Sequence, residues 1–212
     1  AVRANGHDQY SVAWLPVCPK WRILRKISAI NLFSMQRLDA SQALRQEKVS
    51  KLMEYVRECC NKGEAIDVGG VAFTTSLNLL SNTFFSFDMA SYNSSDSGEF
   101  KELVWKIMPN LVDCFPILRF LSVLSVNRKL MGYGNKLNEV FEEIIQKRLE
   151  SSFSVGAKDG DVLDTLLRLV NENESDLSLD DIKHLLMDFF TAGTDTTSST
   201  LEWAMTELLH DP

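Results

Sequence analysis

The stretch that decides the fold reads Phe-Phe-Thr-Ala-Gly-Thr-Asp-Thr-Thr-Ser-Ser-Thr from residue 189 to residue 200. It lies inside a long helical pattern that begins after Ser178, an N-cap residue with Asp181 three positions later, and continues to His210. A helix over 179–210 exceeds the usual length in globular domains, so we expect it to cross the whole domain.

The centre of this helix is poor helix-forming sequence. Thr196 follows Ala192 by four residues, so its hydroxyl can bond the Ala192 carbonyl, while Gly193 leaves the same turn without a side chain. We therefore predict that the helix opens here and exposes backbone carbonyls and a hydroxyl to whatever lies against Gly193. Asp195 lies next to Thr196, where it could exchange protons with solvent.

A packing role is the alternative interpretation of the same residues. A glycine within a helix commonly serves close packing, and the hydroxyl residues would then only bend the helix. In that interpretation a solvated acidic face is formed by side chains that recur every seven residues: Asp181, Asp188, Asp195 and Glu202. The same run argues against a phosphate site, because an anion cradle needs a helix N-terminus, whereas this run lies inside the helix and holds a carboxylate.

The rest of the chain predicts an all-α fold, since its apolar residues recur at helical spacing and no turn pair joins two alternating runs. One helix is predicted from Pro19 toward Phe33 with a break near Asp39, and others over 41–61, 68–87, 100–108, 127–150 and 163–170. The helix over 41–61 should turn Leu44, Val49, Leu52, Val56 and Cys59 or Cys60 inward, and the helix over 68–87 carries the stripe Phe73, Leu77, Leu80, Phe84 and Phe87. Polar loops are predicted over 91–98, 151–160 and 171–176, and 115–126 is apolar but irregular.

The charge of the chain argues against a general nucleic-acid binder. Its 22 Lys and Arg residues against 29 Asp and Glu residues give a net charge of −7, whereas phosphate binding needs an excess of basic side chains. The first 60 residues hold 10 basic and 5 acidic side chains, so an anionic partner is expected there. The four cysteines and three histidines lack metal-ligand spacing, and the uncharged span 68–87 is too polar to cross a membrane.

A second motif lies in the first predicted helix. Trp21 and Arg25 share a helix face, and an indole N–H with a guanidinium is a donor pair suited to a carboxylate. Lys20, Arg22 and Lys26 extend a basic surface around them. The alternative is a surface cation–π pair, which this spacing often produces.

The two motifs together resemble the cytochrome P450 family. Ala192-Gly193-Thr194-Asp195-Thr196-Thr197 matches the oxygen-activation motif of the family's long central helix, and Trp21-x-x-x-Arg25 matches the motif of an earlier helix that meets the haem propionates. The flanking segments 11–16, 189–193 and 202–209 resemble plant microsomal members, in particular the geraniol 8-hydroxylase-like terpenoid group.

This resemblance implies the central part of the P450 fold, with haem b as cofactor. Asp195 and Thr196 would be the catalytic acid–alcohol pair for proton delivery, and Trp21 and Arg25 would hold a propionate. Ala192, Gly193 and Thr196 would lie beside the haem. Substrate would be bounded by Asp188, Phe189 and Ala192, by the segment before Trp21 and by 108–121. The cysteine that ligates iron would lie beyond residue 212, so no metal ligand is expected within this chain.

The resemblance also implies partners: a small apolar, terpenoid substrate, dioxygen and NADPH-cytochrome P450 reductase, which would face Lys20, Arg22 and Lys26. The family member would sit on the cytosolic face of the endoplasmic reticulum membrane through an N-terminal anchor outside this chain. We expect residues 1–212 to be a single partial domain, truncated at both ends and inactive in isolation. The alternative is a non-catalytic, truncated helical interaction module with exposed apolar surfaces.

Overall fold

The computed structural model describes residues 4–93, 96–107, 125–152, 160–172 and 176–211. Within these ranges the regular structure is helical and no strand is present, as the all-α prediction requires. A 3-10 helix, Ala4–Gln9, is followed by α1 Pro19–Asn31, α2 Met35–Ala40, α3 Gln42–Lys62, α4 Val68–Phe85, α5 Asp96–Ile107, α6 Ser125–Ser152, α7 Val162–Asn171 and α8 Leu179–His210. In the described part of the chain, none of the helices combines the length and apolar character needed to cross a membrane.

The long helix α8 begins as predicted. The Ser178 side chain accepts from the Asp181 backbone N–H, and the Asp181 side chain accepts from the Ser178 backbone N–H, which completes a capping box. The helix then runs without a break to His210, so the predicted opening at Gly193 is wrong. The Thr196 hydroxyl does reach the Ala192 carbonyl, at 2.6 Å. Because a carbonyl oxygen can accept two hydrogen bonds, this hydroxyl adds to the helical bond instead of displacing it.

The core lies where α4 packs along α8. Phe73, Leu77 and Phe84 of the predicted stripe are buried, because their spacing places them on one face of α4. Phe87 is not part of this face, contrary to the prediction. The helix ends at Phe85, and Ser86 turns the chain through a left-handed conformation with φ 64°, which leaves Phe87 43% exposed.

An aromatic cluster joins α8 to three other helices. The Phe190 ring is fully buried, with its centroid 5.4 Å from that of Phe85 in α4 and 5.1 Å from that of Phe141 in α6. The ring of Phe100 in α5 lies 6.3 Å away in an edge-on arrangement. Such ring pairs add to the stabilisation that comes from buried area alone. The helix turn just before the Ala192–Thr196 motif is therefore held rigidly in the core.

In the N-terminal third, one helix was not predicted and one prediction is wrong. The first helix ends at Asn31, close to the predicted Phe33, and the predicted break near Asp39 lies at Ser41. The unpredicted helix is α2, which starts after extended Ser34. In α3, Val49 is 54% exposed and Lys48 is buried in its place. Lys48 tolerates burial because its ammonium lies 2.5 Å from the Asp88 carboxylate.

The remaining helices agree with the predicted ones in type and differ by a few residues at their ends. The helices predicted over 41–61, 127–150 and 163–170 correspond to α3, α6 and α7. The helix α5 already begins at Asp96, inside the predicted loop 91–98. Most of the irregular segment 115–126, and most of the predicted loop 151–160, lie outside the described residues.

Candidate functional site

The predicted acid–alcohol pair lies on an accessible part of α8. Ala192 and Thr196 are both exposed, whereas the intervening Thr194 is fully buried. Asp195 is partly exposed beside Thr196. The turn therefore presents a small apolar residue, a hydroxyl and a carboxylate close together, which can bind a small ligand and relay a proton.

Gly193 has a packing role. A Cβ atom at this position would lie 3.0 Å from Cδ1 of Leu80, so the missing side chain allows α4 to approach α8 closely. This is the alternative interpretation of the glycine, and the structure supports it. The accessible surface of this turn lies at Ala192 and Thr196, while Gly193 faces the Leu80 side chain.

The packing alternative also predicted a solvated acidic face on α8. This prediction is wrong for Asp181 and Asp188. Asp181 is 2% exposed and its carboxylate lies 2.7 Å from the Lys20 ammonium. The Asp188 side chain is nearly buried among donors from the segment before α1. Both acids are directed toward other parts of the chain, because their charges find partners there.

Asp188 fastens the N-terminal segment to α8. The Ser11 hydroxyl donates to its two carboxylate oxygens at 2.7 and 2.8 Å, and the Val12 backbone N–H donates at 2.8 Å. Nε2 of His7 lies 3.0 Å from the same carboxylate. The predicted role of Asp188 was direct substrate contact, but in this structure its acceptor positions serve the chain's own donors.

A histidine pair extends this network. Nδ1 of His7 and Nδ1 of His184 are 2.8 Å apart, a contact that requires one shared proton. The Tyr10 ring stacks on His184 with a centroid distance of 4.9 Å. Burial, followed by the neighbouring His7 and Lys183, lowers the pKa of His184 from 6.5 to about 4. The pair was not recognised in the sequence because 177 positions separate the two residues.

The Trp21 and Arg25 side chains do share one face of α1. The guanidinium carbon of Arg25 lies 5.6 Å from the Trp21 ring centroid, which is a cation–π contact. The indole N–H, however, donates to the Val12 carbonyl at 3.1 Å. Arg25 is exposed, and no carboxylate of the described residues forms an ion pair with it. Of the predicted donor pair, the guanidinium is the group directed outward.

The predicted basic surface is smaller than expected. The Lys20 ammonium pairs with Asp181 and also lies 3.9 Å from the Tyr10 ring centroid. Its charge is therefore committed within the chain, while Arg22 and Lys26 are exposed. The three described cysteines are free thiols, and the described residues hold no group of three or more side chains that could bind a metal ion.

Phe189, predicted to contact substrate, is partly buried between two other aromatic rings. Its centroid lies 5.3 Å from that of Phe33 and 6.0 Å from that of Phe84. The predicted substrate segment 108–121 lies outside the described residues. The structure thus brings together Asp188, the segment 7–12 and Trp21. Ala192 and Thr196 lie one and two helical turns after Asp188 along α8.

Comparison with known proteins identifies the family. The cytochrome P450 family model matches residues 2–212. The chain is 72% identical to "Cytochrome P450 monooxygenase 76AD131" of Lophophora williamsii and 46% identical to "Geraniol 8-hydroxylase" of Swertia mussotii, in each case over 100% of this chain and 44% of the relative. A zebrafish cytochrome P450 solved with abiraterone shares the fold, with a TM-score of 0.70 and 22% identity over 99% of this chain and 45% of that one. The chain thus spans less than half the length of these proteins, and it belongs to the cytochrome P450 family.

Proposed function

We propose that residues 1–212 form one partial domain of a haem-thiolate monooxygenase. The complete protein would hydroxylate a small apolar terpenoid with dioxygen and with electrons that NADPH supplies through a reductase. The observation that carries this proposal is the exposed turn of α8, where Ala192, Asp195 and Thr196 lie side by side. The similarity to the geraniol 8-hydroxylase of Swertia mussotii supports the substrate class.

Haem b is the cofactor that the family implies, and the residues described here fit it. Arg25 offers an exposed guanidinium that is suited to a propionate, and the stacked Trp21 indole orients it. Ala192 offers a small apolar surface against which a flat ring system can lie. When bound, haem supplies the chemistry of dioxygen activation.

Asp195 and Thr196 are proposed to move protons at this surface. The Thr196 hydroxyl donates to the Ala192 carbonyl at 2.6 Å, which leaves its oxygen lone pairs free to accept a hydrogen bond from a neighbouring donor. Asp195 is partly exposed one residue away and can exchange protons with solvent. Together these two side chains provide a short route for protons from water to the reacting face of α8.

The substrate is proposed to lie near Phe189 and Ala192, which contribute apolar surface on consecutive turns of α8. The reductase is proposed to meet α1 at Arg22 and Lys26, since complementary charge raises the encounter rate. We further propose that the complete protein works at the cytosolic face of the endoplasmic reticulum membrane, as the resemblance to plant microsomal members implies.

The test uses the full-length protein with haem, reductase, NADPH and geraniol as the probe substrate. We expect the reduced, carbon monoxide-treated protein to give the absorption band of a thiolate-ligated haem, and we expect a hydroxylated monoterpene by gas chromatography–mass spectrometry. Absence of the band would refute the monooxygenase, whereas the band without hydroxylated geraniol would refute only the substrate class.

A non-catalytic helical module is the second candidate, and one observation favours it. The last turns of α8 carry large apolar side chains that are strongly exposed, with Trp203 at 68%, Leu208 at 64% and Leu209 at 75%. Such a surface can bind an apolar partner. Reading the transcript past Pro212 distinguishes the two candidates: a stop codon supports the module, and a frame that continues to a Glu-x-x-Arg pair and a haem-loop cysteine supports the enzyme.

A further inference from the structure

The backbone of a single residue, Val12, connects the long helix to the helix that carries Arg25. The Val12 N–H donates to Asp188 of α8 at 2.8 Å, and the Val12 carbonyl accepts from the Trp21 indole of α1 at 3.1 Å. Both polar atoms of Val12 are therefore used, one toward each helix. Hydrogen bonds to a charged acceptor are among the stronger ones in proteins, so the Asp188 end is the firmer anchor.

Further contacts make this anchor well determined. Ser11 adds a hydroxyl donor to the Asp188 carboxylate, and His7 adds a ring nitrogen at 3.0 Å. With these partners and only 9% of its side chain exposed, Asp188 has little freedom to rotate. The position of Val12, and thus of the acceptor for the indole, follows from the position of α8.

The chain of contacts ends at the guanidinium. Trp21 donates through its only polar atom to Val12, which sets the orientation of the indole ring. Arg25 lies over this ring at 5.6 Å, so the ring in turn limits where the exposed guanidinium can lie. A change at Asp188 should therefore be felt at Arg25 even though the two residues lie on different helices.

We propose that Asp188 is a positioning residue, which sets Arg25 for propionate binding through Val12 and Trp21. This inference rests on the proposed function, because it takes Arg25 as the residue that holds a haem propionate. It replaces the predicted direct contact between Asp188 and substrate with an indirect role, in which the carboxylate acts through backbone and indole.

The test compares variants of the full-length, haem-loaded protein. Asp188→Asn keeps a carbonyl oxygen for the Val12 N–H, whereas Asp188→Leu removes every acceptor. Asp180→Leu is the matched control, since Asp180 lies on the same helix, is 57% exposed and pairs only with Lys183 among the described residues. Three quantities are measured: the rate of haem transfer to apomyoglobin, the propionate bending mode in resonance Raman spectra, and hydrogen exchange in a peptide covering 11–13.

For Asp188→Leu we expect a shifted propionate mode, faster exchange over 11–13 and haem loss that is roughly three- to tenfold faster. Asp188→Asn and Asp180→Leu should both resemble the parent protein. If Asp188→Asn behaves like Asp188→Leu, the lost charge and not the Val12 hydrogen bond is responsible, and the proposed route is wrong. Should Asp188→Leu yield no folded protein, Asp188→Ser takes its place, because its hydroxyl is too short to reach Val12.

One more variant separates this inference from the proposed function. Arg25→Met should shift the propionate mode and accelerate haem loss by itself. If it changes neither, Arg25 does not hold a propionate and the haem assignment fails together with the inference. If Arg25→Met changes both while Asp188→Leu matches Asp180→Leu, the haem assignment stands and the positioning role of Asp188 is refuted.

Discussion

Arg148 near the end of α6 donates from one guanidinium nitrogen to both carboxylate oxygens of Asp161, at 2.9 and 2.8 Å. The same nitrogen reaches Asp164 at 2.7 Å, and the other terminal nitrogen donates to the Phe85 carbonyl at 2.9 Å. Asp161 is also the N-cap of α7. One side chain thus joins the ends of α6 and α4 to the beginning of α7.

We expect Arg148→Met to lower the free energy of unfolding by about 3 kcal/mol, because the Asp161 side chain is only 5% exposed and would lose its counter-charge. Lys147→Met is the control. Lys147 and its partner Glu143 are 72% and 66% exposed, so that loss should stay below about 1 kcal/mol. Chemical denaturation followed by circular dichroism measures both, and equal effects would contradict the structural role of Arg148.

Removing the Thr196 hydroxyl should uncouple electron consumption from product formation. In the full-length enzyme we expect Thr196→Ala to lower product per NADPH by about tenfold and to raise peroxide accordingly, since proton delivery is impaired. Thr200→Ala is the matched control, because its hydroxyl makes the same kind of bond, to the Thr196 carbonyl at 2.7 Å, one turn further along α8. Unchanged coupling in Thr196→Ala would count against the proposed proton route.

The contact between Gly193 and Leu80 should appear as an energetic coupling. We expect Gly193→Val to lower the free energy of unfolding by about 2 kcal/mol, because the new side chain meets Leu80 across the interface between α4 and α8. The double variant with Leu80→Ala should lose less than the sum of the two single variants. Gly132→Val, where a Cβ meets nothing within 4 Å, serves as control and should be close to neutral. Simple additivity in the cycle would exclude the contact.

Acid should destabilise the protein through His184. Its pKa is about 4 in the folded state and 6.5 ordinarily, chiefly because the ring is buried, so the unfolded state binds its proton first. The resulting loss in the free energy of unfolding is absent above about pH 6.5 and grows as the pH falls toward 4. Below pH 4 it is constant, at a total on the order of 3 kcal/mol. Lys183 and His7 oppose the charged ring, whereas Asp180 and Asp188 favour it.

Denaturation curves at several pH values measure this contribution. His184→Gln should flatten the pH dependence between 6.5 and 4, which are the ordinary and folded pKa values of this ring. His210→Gln, in the exposed last turn of α8, should leave the dependence unchanged. An equally steep curve for His184→Gln would assign the acid sensitivity to other groups.

Local patterns in the sequence were sufficient to predict most of the helices and some of their ends. The Ser178 capping box and the end of α3 at left-handed Gly63, with φ 69°, depend on residues a few positions apart. The helical content of α4, α6 and α8 follows from apolar spacing, which is also a local signal. The capping box and the approximate bounds of these helices were predicted because the groups that decide them are neighbours along the chain.

The polar contacts of the site could not be predicted in this way. Asp188 meets Val12 across 176 positions, and nothing in the local pattern around either residue indicates the other. Lys48 replaced Val49 on the inner face of α3 because Asp88, 40 positions away, neutralises its charge. The predicted helix opening at Gly193 was wrong for a different reason. The Ala192 carbonyl accepts the Thr196 hydroxyl as a second hydrogen bond, so the helical bond is kept.

Val12 contacts Asp188 of α8 and Trp21 of α1 through its backbone N–H and carbonyl only. The geometry of these two hydrogen bonds therefore does not depend on the side chain at position 12. Replacement of Val12 by another residue with a backbone N–H should therefore preserve both hydrogen bonds between the two helices. Proline is the exception, since it has no N–H to offer.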